Sequence, residues 1–286
     1  MITAALLAVL AALCNAVSSV LQRRATLTVP QDPKARMGLI LALVRKPVWL
    51  LGILALIGGF LFQASALSRG AVALVQPVMV VELPFTMIIL SLAFGAVLDR
   101  HIWLAIAALS GGLAIFLMAA SPQVGRWLPD AIGWIVATLV TVVVVAALVT
   151  VGVLAKGPLR PAAMGVAAGI GFAFTATLMK RVTAIAQEDL GALPLTWQVY
   201  AMVLAGLCSL VLLQHALHSG PLVVAQPALT ISDPIAGILY GALLFGEPIR
   251  SGSWIVFEAI GIGSLAYGVI QLARSPLIQA QNAPLR

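Results

Sequence analysis

The chain has 286 residues, of which 62% are hydrophobic and only 9% are charged. Soluble domains usually contain about 25% charged residues, so this composition excludes an ordinary soluble protein and predicts an integral membrane protein. The net charge of +7 does not indicate a nucleic-acid partner, because the basic residues lie in short segments between apolar runs, where they determine membrane orientation. We therefore expect the lipid bilayer as a partner and no nucleic acid.

Nine apolar segments are long enough to cross a bilayer, which takes about 20 helical residues. A shorter segment, 32–46, has a brief apolar core between basic ends and is either an interfacial helix or a tenth span. The predicted fold is therefore an all-α integral membrane protein with nine transmembrane helices, or ten. The nine spans are 2–21, 47–67, 71–97, 101–120, 131–154, 161–180, 194–216, 221–246 and 253–273.

Lysine and arginine are concentrated in the connection between the first two spans, around Arg23, Arg24 and Lys34. Cytoplasmic connections carry an excess of these residues. The distribution predicts that the N-terminus lies outside and that the C-terminus lies in the cytoplasm with the tail 277–286. A true tenth span at 32–46 would move only the N-terminus to the inside.

A short pattern occurs twice in the chain, as VQPVMVVELP at 75–84 and AQPALTISDP at 225–234. We interpret it as part of two repeats, 1–122 and 130–276, whose third and eighth spans cross the membrane in opposite directions. Inverted repeats are typical of secondary transporters, and a duplication without a transport role is the alternative. The matching pairs are Gln76 and Gln226, Pro77 and Pro227, and Pro84 and Pro234.

Longer matches surround the two decapeptides, namely ALSRGAVALVQP, FGAVLDR and GGLAIFLMAASP in the first half and ALHSGPLVVAQP and LLFGEPIR in the second. They resemble the EamA-like drug/metabolite transporter superfamily. Within it, the NIPA-like magnesium-transporter branch is the most similar, through Ser18-Ser19, Val75-Gln76-Pro77 and Ser121-Pro122. The glycine-rich stretch Ile57–Leu61 lacks the acidic residue of that branch, and the FGE motif occurs only in the second half. The resemblance implies a multi-pass transporter of the bacterial plasma membrane.

Two acidic residues, Glu82 and Asp233, lie near the middle of their predicted spans. An ionised acid there costs about 2.5–3.5 kcal/mol on insertion scales, so such residues are usually functional. Binding of substrate or protons and a purely structural role, accepting from N–H groups freed beside the prolines, both remain open. Asp233 is the stronger candidate, because helical spacing puts it on a polar stripe with Gln226, Thr230, Gly237 and Tyr240.

Further candidates for the binding path are Gln76 and two residues of a polar face on the first span, Asn15 and Ser18. Hydrogen bonding between helices is the alternative role for that face. Each proline of the repeat should bend or interrupt its helix, because it removes a helical hydrogen bond. The predicted helix breaks are at Pro77, Pro84, Pro227 and Pro234.

The sequence therefore predicts a secondary transporter that moves a small solute by alternating access, either coupled to protons through Asp233 or Glu82 or as a facilitator. A divalent-cation transporter of the NIPA-like kind is the alternative, and a membrane protein without transport activity is a third. No catalytic residue, metal site or cofactor is predicted, so we do not expect an enzyme. The partners are a small-molecule or ion substrate, and the formation of a homodimer remains open.

Overall fold

The computed structural model describes residues 1–26, 46–94, 98–125, 129–220, 222–250 and 252–275. Most of the short segment predicted at 32–46 and the whole predicted tail 277–286 lie outside these residues. All regular secondary structure in the described ranges is helical. The α-helices are α1 (Ile2–Thr26), α2 (Pro47–Arg69), α3 (Val72–Met79), α4 (Glu82–Phe94), α5 (Arg100–Ala120), α6 (Ala131–Leu154), α7 (Leu159–Glu188), α8 (Trp197–Ser219), α9 (Leu222–Leu244) and α10 (Trp254–Ala273).

Nine candidate spans occur in the part of the chain that the structure describes, with α3 and α4 together forming one of them. The helices carry large apolar side chains on their outward faces, such as Leu139, Leu204 and Leu243, which are more than half exposed. Helices satisfy their own backbone hydrogen bonds, so they can cross hydrocarbon with such a surface. The prediction of an all-α membrane protein with nine spans is confirmed.

Several span boundaries differ from the prediction, among them the end of the first span, where α1 continues to Thr26, and two boundaries in the second half. Helix α7 continues to Glu188, past the predicted end at 180, because Ile185 in its last part is buried against the bundle. Helix α8 begins at Trp197 and not at 194, because Leu190–Leu195 form a 3-10 helix that contains Pro194.

Two acids cap helix starts: Asp99 accepts from Ile102 N at 2.9 Å, and Asp130 accepts from Gly133 N at 2.7 Å.

The helices pack in the same order in the two halves of the chain. Helix α1 packs against α2 and against α3 and α4, whereas α7 packs against α8 and α9. Four of the described spans lie between α1 and α7 along the chain, so the two cross in opposite directions if each of these spans crosses the membrane. This packing agrees with two inverted repeats, and their common origin stays a prediction. Helix α6 packs mainly on α7.

Glycines bring α5 and α10, the last spans of the two halves, into close contact. A Cβ atom on Gly112 would lie 2.5 Å from Leu265 N and 2.7 Å from Gly261 O. The contact also contains a hydrogen bond from Ser264 Oγ to Ala108 O at 2.9 Å. Small residues let membrane helices approach closely, which is the role expected for glycine clusters in apolar spans. The two halves are therefore joined by backbone-to-backbone packing.

We predict that Gly112→Ala lowers the free energy of unfolding by about 1–3 kcal/mol, because the added methyl group has to displace the α10 backbone. Gly111→Ala is the matched control, since no atom lies within 4 Å of the Cβ position at Gly111. The measurement is unfolding by SDS titration in one detergent. Equal losses for the two variants would contradict the close α5–α10 contact.

Candidate functional site

The third span is interrupted between α3 and α4, and Glu82 is the first residue of α4. Pro84 has no N–H to donate to Val80 O, and Leu83 N donates to that oxygen instead, at 3.1 Å. One turn earlier, Val80 N donates to Pro77 O at 3.2 Å. These shorter-range bonds tighten the chain at 80–81 and end one helix just before the acid. The structure therefore has one interruption, between Pro77 and Pro84, and the predicted break at Pro77 itself is wrong, since Pro77 lies inside α3.

The second proline pair does not interrupt its helix, and the prediction of breaks at Pro227 and Pro234 is wrong. Helix α9 runs continuously through both residues. It is supported by α7, because Gly165 and Gly169 let the two backbones approach until a Cβ on Gly165 would be 2.7 Å from Ala225 O. Each proline removes one helical hydrogen bond. The helix nevertheless stays continuous where it packs on α7.

Four predicted site residues meet in the middle of the bundle. Gln76 Nε2 donates to Asp233 Oδ1 at 3.3 Å, and the side chain of Asn15 lies within hydrogen-bonding reach of Glu82. The carboxylates of Glu82 and Asp233 are close enough to interact electrostatically. We call Asn15, Gln76, Glu82 and Asp233 the central polar cluster. Three of its residues come from the first half, on α1, α3 and α4, and Asp233 comes from α9 in the second.

Glycines on neighbouring helices position the two amides of the central polar cluster. A Cβ on Gly237 would lie 2.7 Å from Gln76 Cγ, and a Cβ on Gly59 would overlap Asn15 Oδ1. Gly59 belongs to the stretch Ile57–Leu61 that lacks an acid. In this protein that stretch makes room for the amide of Asn15. Helix α7 also passes close to the cluster, since a Cβ on Gly169 would be 3.0 Å from Asp233 N.

The other predicted site residues make hydrogen bonds outside the central polar cluster. Thr230 Oγ1 donates to Gln226 O of its own helix at 2.9 Å. The hydroxyl of Tyr240 lies 2.6 Å from Thr141 Oγ1 on α6, about 10 Å along α9 from Asp233. On α1, Ser18 Oγ accepts from Gln22 Nε2 at 2.8 Å. The polar stripe on α9 therefore continues past the central polar cluster toward one end of the bundle.

Sequence reasoning missed the partner of Glu247, the acid of the FGE motif. The Glu247 side chain is fully buried, and Lys180 Nζ donates to Glu247 Oε1 at 2.5 Å. The same carboxylate accepts from Val72 N at 2.8 Å and from Ala73 N at 2.9 Å, at the start of α3. A carboxylate there is favourable because the N-terminal end of a helix carries a partial positive charge. An acid of the second half thus caps a helix of the first.

The local fold explains how Glu247 reaches this position. Gly246 has φ of 57°, a left-handed conformation that suits glycine, and Glu247 N then donates to Gly241 O at 2.9 Å. Lys180 is fixed by Gly70 O at 3.0 Å and by the ring of Phe245, whose centroid is 4.8 Å from Nζ. In the sequence the FGE motif draws attention to Glu247, but no spacing relates this motif to Lys180.

Comparison with known proteins gives one full-length relative. The chain is 28% identical over 277 residues to an uncharacterized protein of Corynebacterium glutamicum, and the match covers 94% of this chain and 95% of the relative. No family model matches the chain, and no solved structure matches it. A match of this coverage extends through both halves of the chain.

We predict that Lys180→Met and Glu247→Gln each lower the free energy of unfolding by about 3–5 kcal/mol, because each leaves a buried partner uncompensated. The double variant should lose less than the sum of the two. Asp130→Asn is the control, since its capping bond is exposed and should be worth about 1 kcal/mol or less. Unfolding in SDS of the unaltered protein and of the four variants measures these losses. Strictly additive losses would contradict the pairing.

Proposed function

We propose that the protein is a secondary transporter that moves a small solute across the bacterial plasma membrane by alternating access between its two halves. The observation that carries this proposal is the central polar cluster, in which Gln76 of the first half is bonded to Asp233 of the second. Acidic residues inside a membrane are costly and usually mark a transport path. This cluster is held at the contact between the halves, where transporters with inverted repeats bind their substrates.

The interrupted span supports the same proposal. Transporters of this kind often build their sites from discontinuous helices, because unwound backbone can interact with a solute. Here the interruption at 80–81 directly precedes Glu82. The α3 segment is also tied to the second half at its other end, through the bonds of Glu247 to Val72 N and Ala73 N. A movement of one half against the other would therefore act on α3 at both ends.

Proton coupling and facilitated movement are both compatible with the central polar cluster. Two interacting carboxylates repel each other when both are ionised, so the pair can hold a proton that a passing solute would displace. Glu82 and Asp233 are interacting carboxylates of this kind. In a facilitator, the same two acids would bind the solute directly and no proton would move with it.

A divalent cation is the second candidate substrate, favoured by the two neighbouring carboxylates and by the resemblance to the NIPA-like branch. Hard cations require six or more oxygen ligands. The described part of the chain contains no group of three or more His, Cys, Asp or Glu residues that could hold a metal ion. Gln76 also presents its NH₂ group, and not its oxygen, to Asp233. An organic solute therefore remains our first proposal.

The test is uptake into proteoliposomes, after a screen of metabolites and divalent cations has found a transported solute. We predict that Asp233→Asn abolishes uptake or makes it independent of pH, because the variant cannot release a proton or carry a charge at this position. Glu188→Gln is the control, since this acid is exposed at the end of α7 and should leave uptake unchanged. Normal, pH-dependent uptake by Asp233→Asn would contradict the proposed role, and cation-selective uptake would favour the second candidate.

A further inference from the structure

A second polar site lies away from the central polar cluster, at one end of the bundle. It is a cavity of about 740 Å³ between the first turns of α6 and α8 and the last part of α7. This volume is in the range of small-molecule sites, about 300–1,000 Å³. None of the residues of the central polar cluster lines the cavity. A ligand in it would therefore occupy a site that solute transport through the middle of the bundle does not use.

Three residues that line this cavity each carry a buried polar atom without a hydrogen-bond partner in the described protein. They are Thr138 Oγ1, Arg181 Nη1 and Gln198 Oε1, and each comes from a different helix. Among the described residues, only one other buried polar side-chain atom, Glu258 Oε1, lacks a hydrogen-bond partner. Buried polar groups in proteins are nearly always satisfied, so three of four such atoms around one cavity point to a ligand.

The three atoms specify the chemistry of that ligand. Arg181 only donates and is positively charged, so an anionic acceptor suits it best. Gln198 Oε1 only accepts, and the Thr138 hydroxyl can do either. The residues that line the cavity include no acid, and the nearby Asp130 carboxylate is bonded to Gly133 N. A group that carries both a negative charge and a hydroxyl donor satisfies all three positions.

The rest of the lining is apolar and continuous with the outer surface of the bundle. Ile135, Leu139 and Val142 line the cavity and are 65%, 61% and 59% exposed. In a membrane, side chains this exposed on a spanning helix contact acyl chains. Trp134 and Trp197 also line the cavity, edge to face with their ring centroids 5.7 Å apart. Tryptophan is typical of the level of lipid head groups.

We propose that this cavity binds an anionic phospholipid whose head group bears hydroxyls. The phosphate accepts from Arg181, a head-group hydroxyl donates to Gln198 Oε1, and the acyl chains lie along Ile135, Leu139 and Val142. Arginine suits this role because its planar guanidinium matches a phosphate. Basic pockets between transmembrane helices are known to bind lipid head groups in this way.

The cavity also adjoins the buried pair described above. Lys180, which precedes Arg181, holds Glu247, and Trp134 packs edge to face on Phe245 with centroids 6.2 Å apart. A lipid bound at Arg181 would therefore support the same end of the bundle as the Lys180–Glu247 pair. This binding does not depend on the proposed transport activity, and it can be measured without a known solute.

The experiment is native mass spectrometry of the full chain in a neutral detergent, with equal amounts of phosphatidylglycerol and phosphatidylcholine that have identical acyl chains. We expect the protein to retain one phosphatidylglycerol in preference, and Arg181→Gln to reduce that preference about tenfold, since a charged hydrogen bond is lost. Arg69→Gln is the matched control, because Arg69 is an exposed arginine at a helix end, and it should keep the preference.

Other results of this experiment would contradict the proposal. No preference in the unaltered protein, or the same preference in Arg181→Gln, would overturn the proposal. Displacement of the lipid by soluble glycerol phosphate at an equal concentration would also contradict the proposal and assign the site to a soluble solute. A dimer that forms through this face without lipid would contradict it as well and assign the face to a second copy of the chain. If Arg181→Gln does not fold, Thr138→Val replaces it, because this variant removes one polar atom without a change of charge. It should weaken the retention of phosphatidylglycerol, and unchanged retention would overturn the proposal.

Discussion

A charged side chain buried inside the helix bundle needs a partner there, because water does not reach it and the cost of leaving it alone is several kcal/mol. This constraint accounts for the main polar contacts of the protein. Lys180 and Glu247 are fully paired with each other and with backbone groups. Asp233 and Glu82 each have an amide partner from another helix. Both sets of contacts join separate segments of the bundle, and the Gln76–Asp233 and Glu247 contacts join its two halves.

The glycines make those contacts geometrically possible. Gly237 and Gly59 leave room for the amides of Gln76 and Asn15, and Gly241 leaves room for the carboxylate of Glu247. Without a hydrophobic driving force between helices in lipid, close backbone packing and hydrogen bonds have to hold the bundle together. Each of these glycines therefore faces a polar side chain of a neighbouring segment. The backbone at the glycine packs directly against that side chain and fixes its position.

The sequence predicted features that depend on local order along the chain. Apolar length indicated each span, and Pro84 indicated the interruption before Glu82, because a missing N–H acts within one turn. The same rule was wrong for Pro227 and Pro234, where packing of α9 on α7 outweighs the lost bonds. Features that depend on distant segments could not be predicted. Nothing in the sequence relates Lys180 to Glu247, or brings Thr138, Arg181 and Gln198 around one cavity.

The proposed transport depends on Gln76 and Asp233 acting together as one site across the two halves, and a double-mutant cycle on solute uptake tests this directly. Gln76→Leu, Asp233→Glu and the double variant would be compared in proteoliposomes, since Asp233→Glu keeps a carboxylate and therefore uptake that can be measured. In the control, Gln214→Leu replaces Gln76→Leu, because Gln214 is exposed on α8. A single shared site predicts that the double variant loses no more activity than the more severe single variant. Losses that multiply for Gln76 and Asp233, as they should for Gln214 and Asp233, would contradict it.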